Sequence, residues 1–226
     1  MEVSRSDRLP APRSLLYAAA ITAAIAGLAI LTFDQPVARA ISGYRPLGFW
    51  DSALDIMEWA IGLPIFSWAL GIVLVLGMIV TSAVPRWRGQ APWWMLIAAT
   101  HILSRLATLE IKVATGRLRP YEWLARGTPD DTFLWERGFS FPSGHVTLFA
   151  SVLIPLAVVV GRKRPVLGAL VLLPVGFSMS ARVVANAHFV SDVFAGVTLC
   201  CLITWVCGWI IRPVTPARRE ASRAQP

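Results

Sequence analysis

The sequence predicts an all-α fold: a six-transmembrane-helix bundle, with an interfacial amphipathic helix between spans one and two. Three observations predict it. The 226 residues are 56% hydrophobic and only 15% charged, against about 25% charged in a soluble domain, and the mean hydropathy is +0.61. Six apolar stretches approach the ~20 residues that a helix needs to cross a bilayer. Lys and Arg gather in short clusters between those stretches, the loop pattern that sets membrane topology. The formal charge of +8 does not point to nucleic acid, because no basic run is interleaved with aromatics as a binding face requires.

The spans fall at residues 15–33, 65–84, 93–111, 145–161, 166–179 and 190–211. The first follows Arg5, Arg8 and Arg13 and precedes Ala38-Arg39-Ala40, the layout of a signal peptide. Its apolar core is longer than the usual stretch of about 7–15 residues, which favours an uncleaved anchor. Between spans one and two, residues 49–61 read FWDSALDIMEWAI. Asp51, Asp55 and Glu58 recur at helical spacing, opposite Trp50, Leu54, Met57 and Ile61. That is an amphipathic helix lying in the interface, either covering the bundle edge or gating substrate. The fifth span is short and interrupted by Pro174. Cys200, Cys201 and Cys207 fall inside the sixth, where buried thiols are expected rather than disulfide partners.

With residues 1–14 in the cytoplasm, the inner loops hold Arg86, Arg88, Arg162, Lys163 and Arg164. The tail, 212–226, carries Arg212, Arg218, Arg219 and Arg223, and its Pro/Arg/Ala composition reads as disordered. The outer loops hold Asp34, Asp51, Asp55, Glu58, Glu122, Asp130, Asp131 and Glu136. Both chain ends are therefore expected on the cytoplasmic side. Most of the ten tryptophans sit near span ends, as an interfacial belt does.

Polar residues inside such spans are costly and mark function. The third span carries His101, Arg105, Thr108 and Lys112 on one helical face. Arg119 continues that face if the helix persists through Gly116, which sets Lys112 and Arg119 roughly 10 Å apart along the axis. Two cations so placed could converge on one anion. Arg117 and Arg126 are expected to snorkel to the outer headgroups. A second cluster is Pro142-Ser143-Gly144-His145 at the start of span four. Ser143 is a natural N-cap, the helix start offers free N–H groups to an anion, and Gly144 admits an oxygen close to the backbone. The third cluster supplies Arg182 and then His188 and Asp192 at i, i+4. A carboxylate at that spacing can fix the imidazole tautomer and leave the other nitrogen free to attack, although such a pair also occurs for purely structural reasons. All three clusters fall on the outer face of the predicted topology.

These motifs resemble the type 2 phosphatidic acid phosphatase family, which includes vanadium haloperoxidases and bacterial acid phosphatases. Its signature is Lys-x6-Arg-Pro, Pro-Ser-Gly-His and Ser-Arg-x5-His-x3-Asp; this chain has KVATGRLRP (112–120), PSGH (142–145) and ARVVANAHFVSD (181–192). Ala181 stands where the signature has Ser, with Ser180 adjacent, which bears on fine positioning rather than on the reacting groups. The resemblance implies His188 as the nucleophile that forms a phosphohistidine, Asp192 as its orienting partner, and His145 as the acid and later base. It implies that Lys112, Arg119, Ser143, Gly144 and Arg182 hold the phosphoryl oxygens.

His145, His188 and Asp192 also have the ligand types of a facial metal triad, but three nearby cations would repel a divalent ion and suit phosphate, or vanadate as its mimic. No metal or cofactor is expected. The expected activity is that of a lipid phosphate or diphosphate phosphatase of a bacterial inner membrane, its site facing the periplasm. Undecaprenyl diphosphate, phosphatidylglycerophosphate, phosphatidate and a lipid A phosphate are the substrates in view, and the loop 121–141 is expected to select among them. Two rivals are a lipid phosphotransferase and a non-enzymatic protein that binds anionic lipid. The partners expected are the lipid phosphate and the bilayer, not nucleic acid, and the sequence carries no signal of oligomeric state.

Overall fold

A computed structural model describes residues 12–43, 48–60, 68–126 and 137–211. Every regular element among them is helical. Helix α1 (Arg13–Leu28) passes through one π-helical turn (Ala29–Phe33) into α2 (Asp34–Ile41), so the first helical stretch runs beyond the expected residue 33. Then come α3 (Phe49–Ala60), α4 (Ala69–Ala83), a 3-10 turn (Pro85–Gln90) and α5 (Ala91–Thr115). Helices α6 (Pro120–Ala125), α7 (Gly144–Gly161), α8 (Pro165–Leu170), α9 (Leu173–Val184) and α10 (Val190–Ile210) complete the described chain.

Among the described residues, five helical stretches are long and apolar enough to cross a bilayer: Arg13–Ile41, Pro85–Ala125, Gly144–Gly161, Pro165–Val184 and Val190–Ile210. Ala69–Ala83 is apolar but shorter, and the start expected for that span, near residue 65, lies outside the described residues. The chain is a multi-pass membrane protein. Its outer surface agrees: Leu31 is 82% exposed and Val166 73%, an apolar exterior that lipid rather than water would cover.

The fifth span is interrupted beside Pro174, as expected: α8 ends at Leu170, the carbonyl that residue 174 would bond in a continuous helix and that a proline cannot, and Pro174 sits in the first turn of α9. Helix α9 continues to Val184, past the expected end at residue 179.

Helices α5, α7 and α10 pack against one another at the centre, with α1 along α10 and α4 along α5. The main core gathers Val146, Phe149, Ala150 and Ile154 of α7 with Val193, Cys200 and Cys201 of α10. Polar bonds also join these helices: Thr22 with Thr198 at 2.8 Å, Thr108 with Thr147 at 3.1 Å, and His101 Nδ1 with Ser151 at 2.8 Å. The last two show that the polar face of α5 turns toward α7. The three cysteines are buried and form no disulfide.

Helix α3 docks on α9. Trp50 stacks on Phe177 with centroids 5.1 Å apart, Leu54 is buried, and Met57 packs against the same core. The apolar face is therefore the expected one, but the polar face is not uniform. Asp55 points outward while Glu58 is half-buried, and Ile56 and Trp59 are 69% and 63% exposed. Ile61 and the tail 212–226 lie outside the described residues.

Candidate active site

Two backbone turns build the site. Helix α5 stops at Thr115 because Gly116 adopts the left-handed conformation (φ 55°) and its N–H closes on Lys112 O at 3.0 Å. This is the usual glycine C-cap. The helix therefore does not carry Arg119 on the face of Lys112, contrary to the sequence expectation. Residues 116–118 run on and pair with the segment that returns from the outer loop: Gly138 N–H donates to Gly116 O at 2.8 Å and Ser140 N–H to Arg117 O at 2.9 Å. A Cβ on Gly138 would collide with Arg117 O, so only glycine permits this approach. The second turn follows α9. Asn186 takes a positive φ of 52°, a conformation that Asn tolerates, and the N–H groups of Ala187 and His188 both return to Arg182 O.

These turns bring the three sequence clusters together. His188 is 2% exposed, and its Nδ1 lies 3.4 Å from Asp192 Oδ2. The same carboxylate oxygen accepts from Ser140 Oγ at 2.5 Å and from Phe189 N–H at 2.8 Å. Ser143 N–H donates to Asp192 O at 3.0 Å, which ties the start of α7 to the start of α10. The Ser143 hydroxyl is buried and has no hydrogen-bond partner among the described residues. Lys112 Nζ donates to Phe139 O at 2.6 Å and Ser140 O at 3.3 Å. Its side chain runs past Gly144, where a Cβ would lie 3.6 Å from Lys112 Cε.

Arg182, in the last turn of α9, is close enough for its charge to act on Lys112, His188 and Glu58. Arg119 is the residue before α6 and lies over Tyr121, 6.0 Å from the ring centroid; its charge also acts on Lys112. His145 Nε2 meets Glu58 Oε1 at 3.0 Å. Burial pushes the His188 imidazole down to about 4, with Asp192 opposing and Lys112 and Arg182 reinforcing. At neutral pH the ring is therefore uncharged, with a lone pair on one nitrogen.

Arg117 overturns its expectation. Instead of snorkelling to the headgroups it is fully buried, with no exposed side-chain surface. It donates to Asp192 Oδ1 at 2.5 Å, to Asp34 Oδ2 at 2.6 Å and to Ser191 Oγ at 2.6 Å. Phe189 lies under the guanidinium at 4.4 Å. Asp34, expected in an outer loop, is buried as well and accepts from Ser191 through both its N–H, at 2.9 Å, and its hydroxyl. Arg126 is exposed. Ala181 is buried in the apolar core, and Ser180 faces outward, bonded to Gly176 O at 3.1 Å. The neighbouring serine does not stand in for the missing hydroxyl.

The residues missed by sequence reasoning are Arg117, Asp34, Ser140, Ser191 and Glu58. A cation and a carboxylate inside or beside apolar stretches were the available signal, since such charges are kept only when paired.

Residues 92–215 match the family model of the PAP2 superfamily. Among solved structures, the chain is similar to the "first transmembrane PAP2 type phosphatidylglycerolphosphate phosphatase from Bacillus subtilis". The TM-score is 0.51 at 24% sequence identity, over 87% of this chain and 94% of that one, a likeness of fold. No curated protein matches the chain.

Proposed function

Because this chain belongs to the PAP2 superfamily, we propose that it is a metal-independent lipid phosphate or diphosphate phosphatase working through a phosphohistidine. The observation that carries this reading is the convergence of three separate segments on one buried pair: Asp192 faces His188 and receives Ser140 and the Ser143 N–H, and Lys112 of α5 holds that serine segment through Phe139 O and Ser140 O. Neutral His188 attacks phosphorus through Nε2 while Asp192 holds the Nδ1 side of the ring. As the new P–N bond forms, the bond to the lipid oxygen breaks, and His145 supplies that oxygen with a proton. Water then attacks the phosphohistidine, gives its proton to His145 and releases phosphate from His188.

Lys112, Arg119 and Arg182, with the Ser143 hydroxyl and the Gly144 N–H, hold the three equatorial oxygens. Phosphoryl transfer asks mainly for such positioning and fixed positive charge. The Ser143 hydroxyl, without a partner among the described residues, is a donor in want of an acceptor, which a phosphoryl oxygen would supply.

The substrate is a lipid phosphate in the outer leaflet, with undecaprenyl diphosphate, phosphatidylglycerophosphate and phosphatidate as the leading types. The protein crosses the bacterial inner membrane six times, both ends in the cytoplasm and the site toward the periplasm. The charge distribution of the loops supports this orientation. The first helix remains uncleaved. Asp34 lies before the Ala38-Arg39-Ala40 stretch, and cleavage there would remove the carboxylate that meets Arg117.

Phosphate release by detergent-purified protein from a panel of these lipids, with EDTA present, tests the reading against His188→Ala. Release that survives EDTA in the wild type and vanishes in the variant is the expected result. Release abolished by EDTA would return the histidines and Asp192 to metal ligation. A phosphorylated lipid acceptor instead of free phosphate would make the protein a transferase, and binding without turnover would make it a lipid-binding protein.

A further inference from the structure

His145 has a partner that the mechanism above does not use. Its Nε2 lies 3.0 Å from Glu58 Oε1, with side-chain exposures of 31% and 17%. Glu58 sits on α3, whose other described acid, Asp55, stays exposed. The helix is anchored by the Trp50–Phe177 stack and by buried Leu54, and that anchoring turns Glu58 toward the start of α7. The hydrogen bond from His145 holds the Glu58 carboxyl below its usual range; burial opposes, and the charges of His145 and Arg182 add to the lowering. An ionised carboxylate therefore faces the histidine.

We propose that Glu58 is a positioning residue for His145, binding the proton on Nε2 and leaving Nδ1 as the atom that exchanges a proton with substrate and water. The assignment rests on the phosphatase reading. It makes the two histidines complementary: His188 turns Nδ1 to Asp192 and keeps Nε2 for phosphorus, while His145 turns Nε2 to Glu58 and keeps Nδ1 for oxygen. In the first half-reaction the imidazolium passes its Nδ1 proton to the departing lipid oxygen and becomes neutral, still bonded to Glu58 through Nε2–H. In the second, Nδ1 takes a proton from the attacking water as the P–N bond breaks, restoring the imidazolium. Helix α3 then contributes to the chemistry as well as covering the bundle edge.

Two substrates with one lipid body separate this role from a structural one. Dioctanoyl phosphatidate expels an alkoxide, which needs a proton. Dioctanoylglycerol diphosphate transfers its terminal phosphoryl group and expels phosphatidate, a phosphate anion that leaves without one. General acid catalysis is worth about 10²–10⁴-fold, and a residue acting through the acid accounts for less. In single turnovers that read phosphoenzyme formation alone, before the hydrolysis step the two lipids share, Glu58→Gln is expected to lower the rate from phosphatidate about tenfold to a hundredfold with KM little changed, and from the diphosphate less than about threefold. Glu58→Asp, which keeps the charge at shorter reach, restores part of the loss. In a His145→Gln background Glu58→Gln costs nothing further, because coupled residues are not additive.

The diphosphate activity of the same sample reports that each variant is folded. Equal losses on both substrates, or a change confined to KM, would make Glu58 a strut and overturn the proposal. Faster turnover would make it a plug over the site, with the same consequence. Wild-type protein that releases phosphate from neither lipid would instead overturn the phosphatase reading, and this assignment with it.

Discussion

Arg117 donates to Asp192 across 2.5 Å, and neither side chain has any exposed surface. The guanidinium joins two carboxylates from distant parts of the chain, since it also meets Asp34 at 2.6 Å. Asp192 thus has both oxygens occupied, Oδ1 by Arg117 and Oδ2 by Ser140 and the Phe189 N–H. That arrangement leaves the carboxylate no freedom to swing away from His188.

Removing Arg117 strands two buried carboxylates. Breaking a buried ion pair from one side costs about 3–5 kcal/mol. Arg117→Met is therefore expected to lower the melting temperature in detergent by many degrees and to abolish phosphate release. Arg117→Lys keeps the charge but not the fork that spans two carboxylates, and is expected to melt nearer the wild type while losing activity. Wild-type melting of Arg117→Met would show that the network does not hold the bundle.

His188 gives a pH prediction whose sign follows from burial. Its ring is pushed down to about 4 from an ordinary 6.5, burial being the largest cause. Protonation is thus easier in the unfolded chain, and this group's contribution to stability is lost as pH falls from 6.5 through about 4. In the proposed mechanism His188 also stays mostly neutral, as a nucleophile must, until the pH nears 4. Single-turnover phosphoenzyme formation from a diphosphate substrate, which needs no leaving-group proton, should keep its rate well below pH 6.5. An acid limb centred at the ordinary histidine value would count against His188 as the buried nucleophile.

Lys112 has a structural role and, in the proposed mechanism, a phosphate-holding one, and a substitution can separate them. It pins the returning segment through Phe139 O and Ser140 O, and its charge lies beside the start of α7. Losing one such donor costs about 10²–10³-fold in kcat, so Lys112→Met should fall in that range. Lys112→Arg retains the charge and should recover folding more fully than rate, because a planar fork does not replace a point charge at this depth. Equal recovery of both would assign Lys112 to holding the segment alone.

The spans are legible in the sequence because apolar length is local information, and the polar face of α5 because four side chains share one helical register. The site clusters are legible for the same reason: each is contiguous. The partners across the fold are not. Arg117 reads as a headgroup contact because nothing in KVATGRLRP says which way the chain turns after Gly116; the left-handed cap decides it. Arg119 falls on the face of Lys112 only along a helix that the same cap ends. Glu58 reads as part of a solvated face because it alternates with Leu54 and Met57, whereas the docking of Trp50 on Phe177 rolls it toward His145. Asp34 looks like loop charge because the apolar run stops one residue before it, and the helix instead continues through a π turn.

Two glycines of the site are required for different reasons, and alanine at each should fail in different ways. A Cβ at Gly138 would collide with Arg117 O and lie 2.5 Å from Arg117 C and Leu118 Cα, all backbone atoms of the paired segment. Nothing there can swing aside, so Gly138→Ala should separate the segment from Arg117 and lower both melting temperature and activity. A Cβ at Gly144 meets only Lys112 Cε, at an ordinary 3.6 Å. The protein therefore has room for Gly144→Ala and should melt close to the wild type. In the proposed mechanism the methyl would stand where a phosphoryl oxygen approaches the start of α7, and a displacement of about 1 Å at a reacting centre costs about a hundredfold in rate. Gly144→Ala is thus expected to lose roughly that factor in kcat/KM without losing stability. Wild-type kinetics in that variant would show that the phosphoryl group does not reach the backbone at Gly144. The anion would then have to be held by side chains alone.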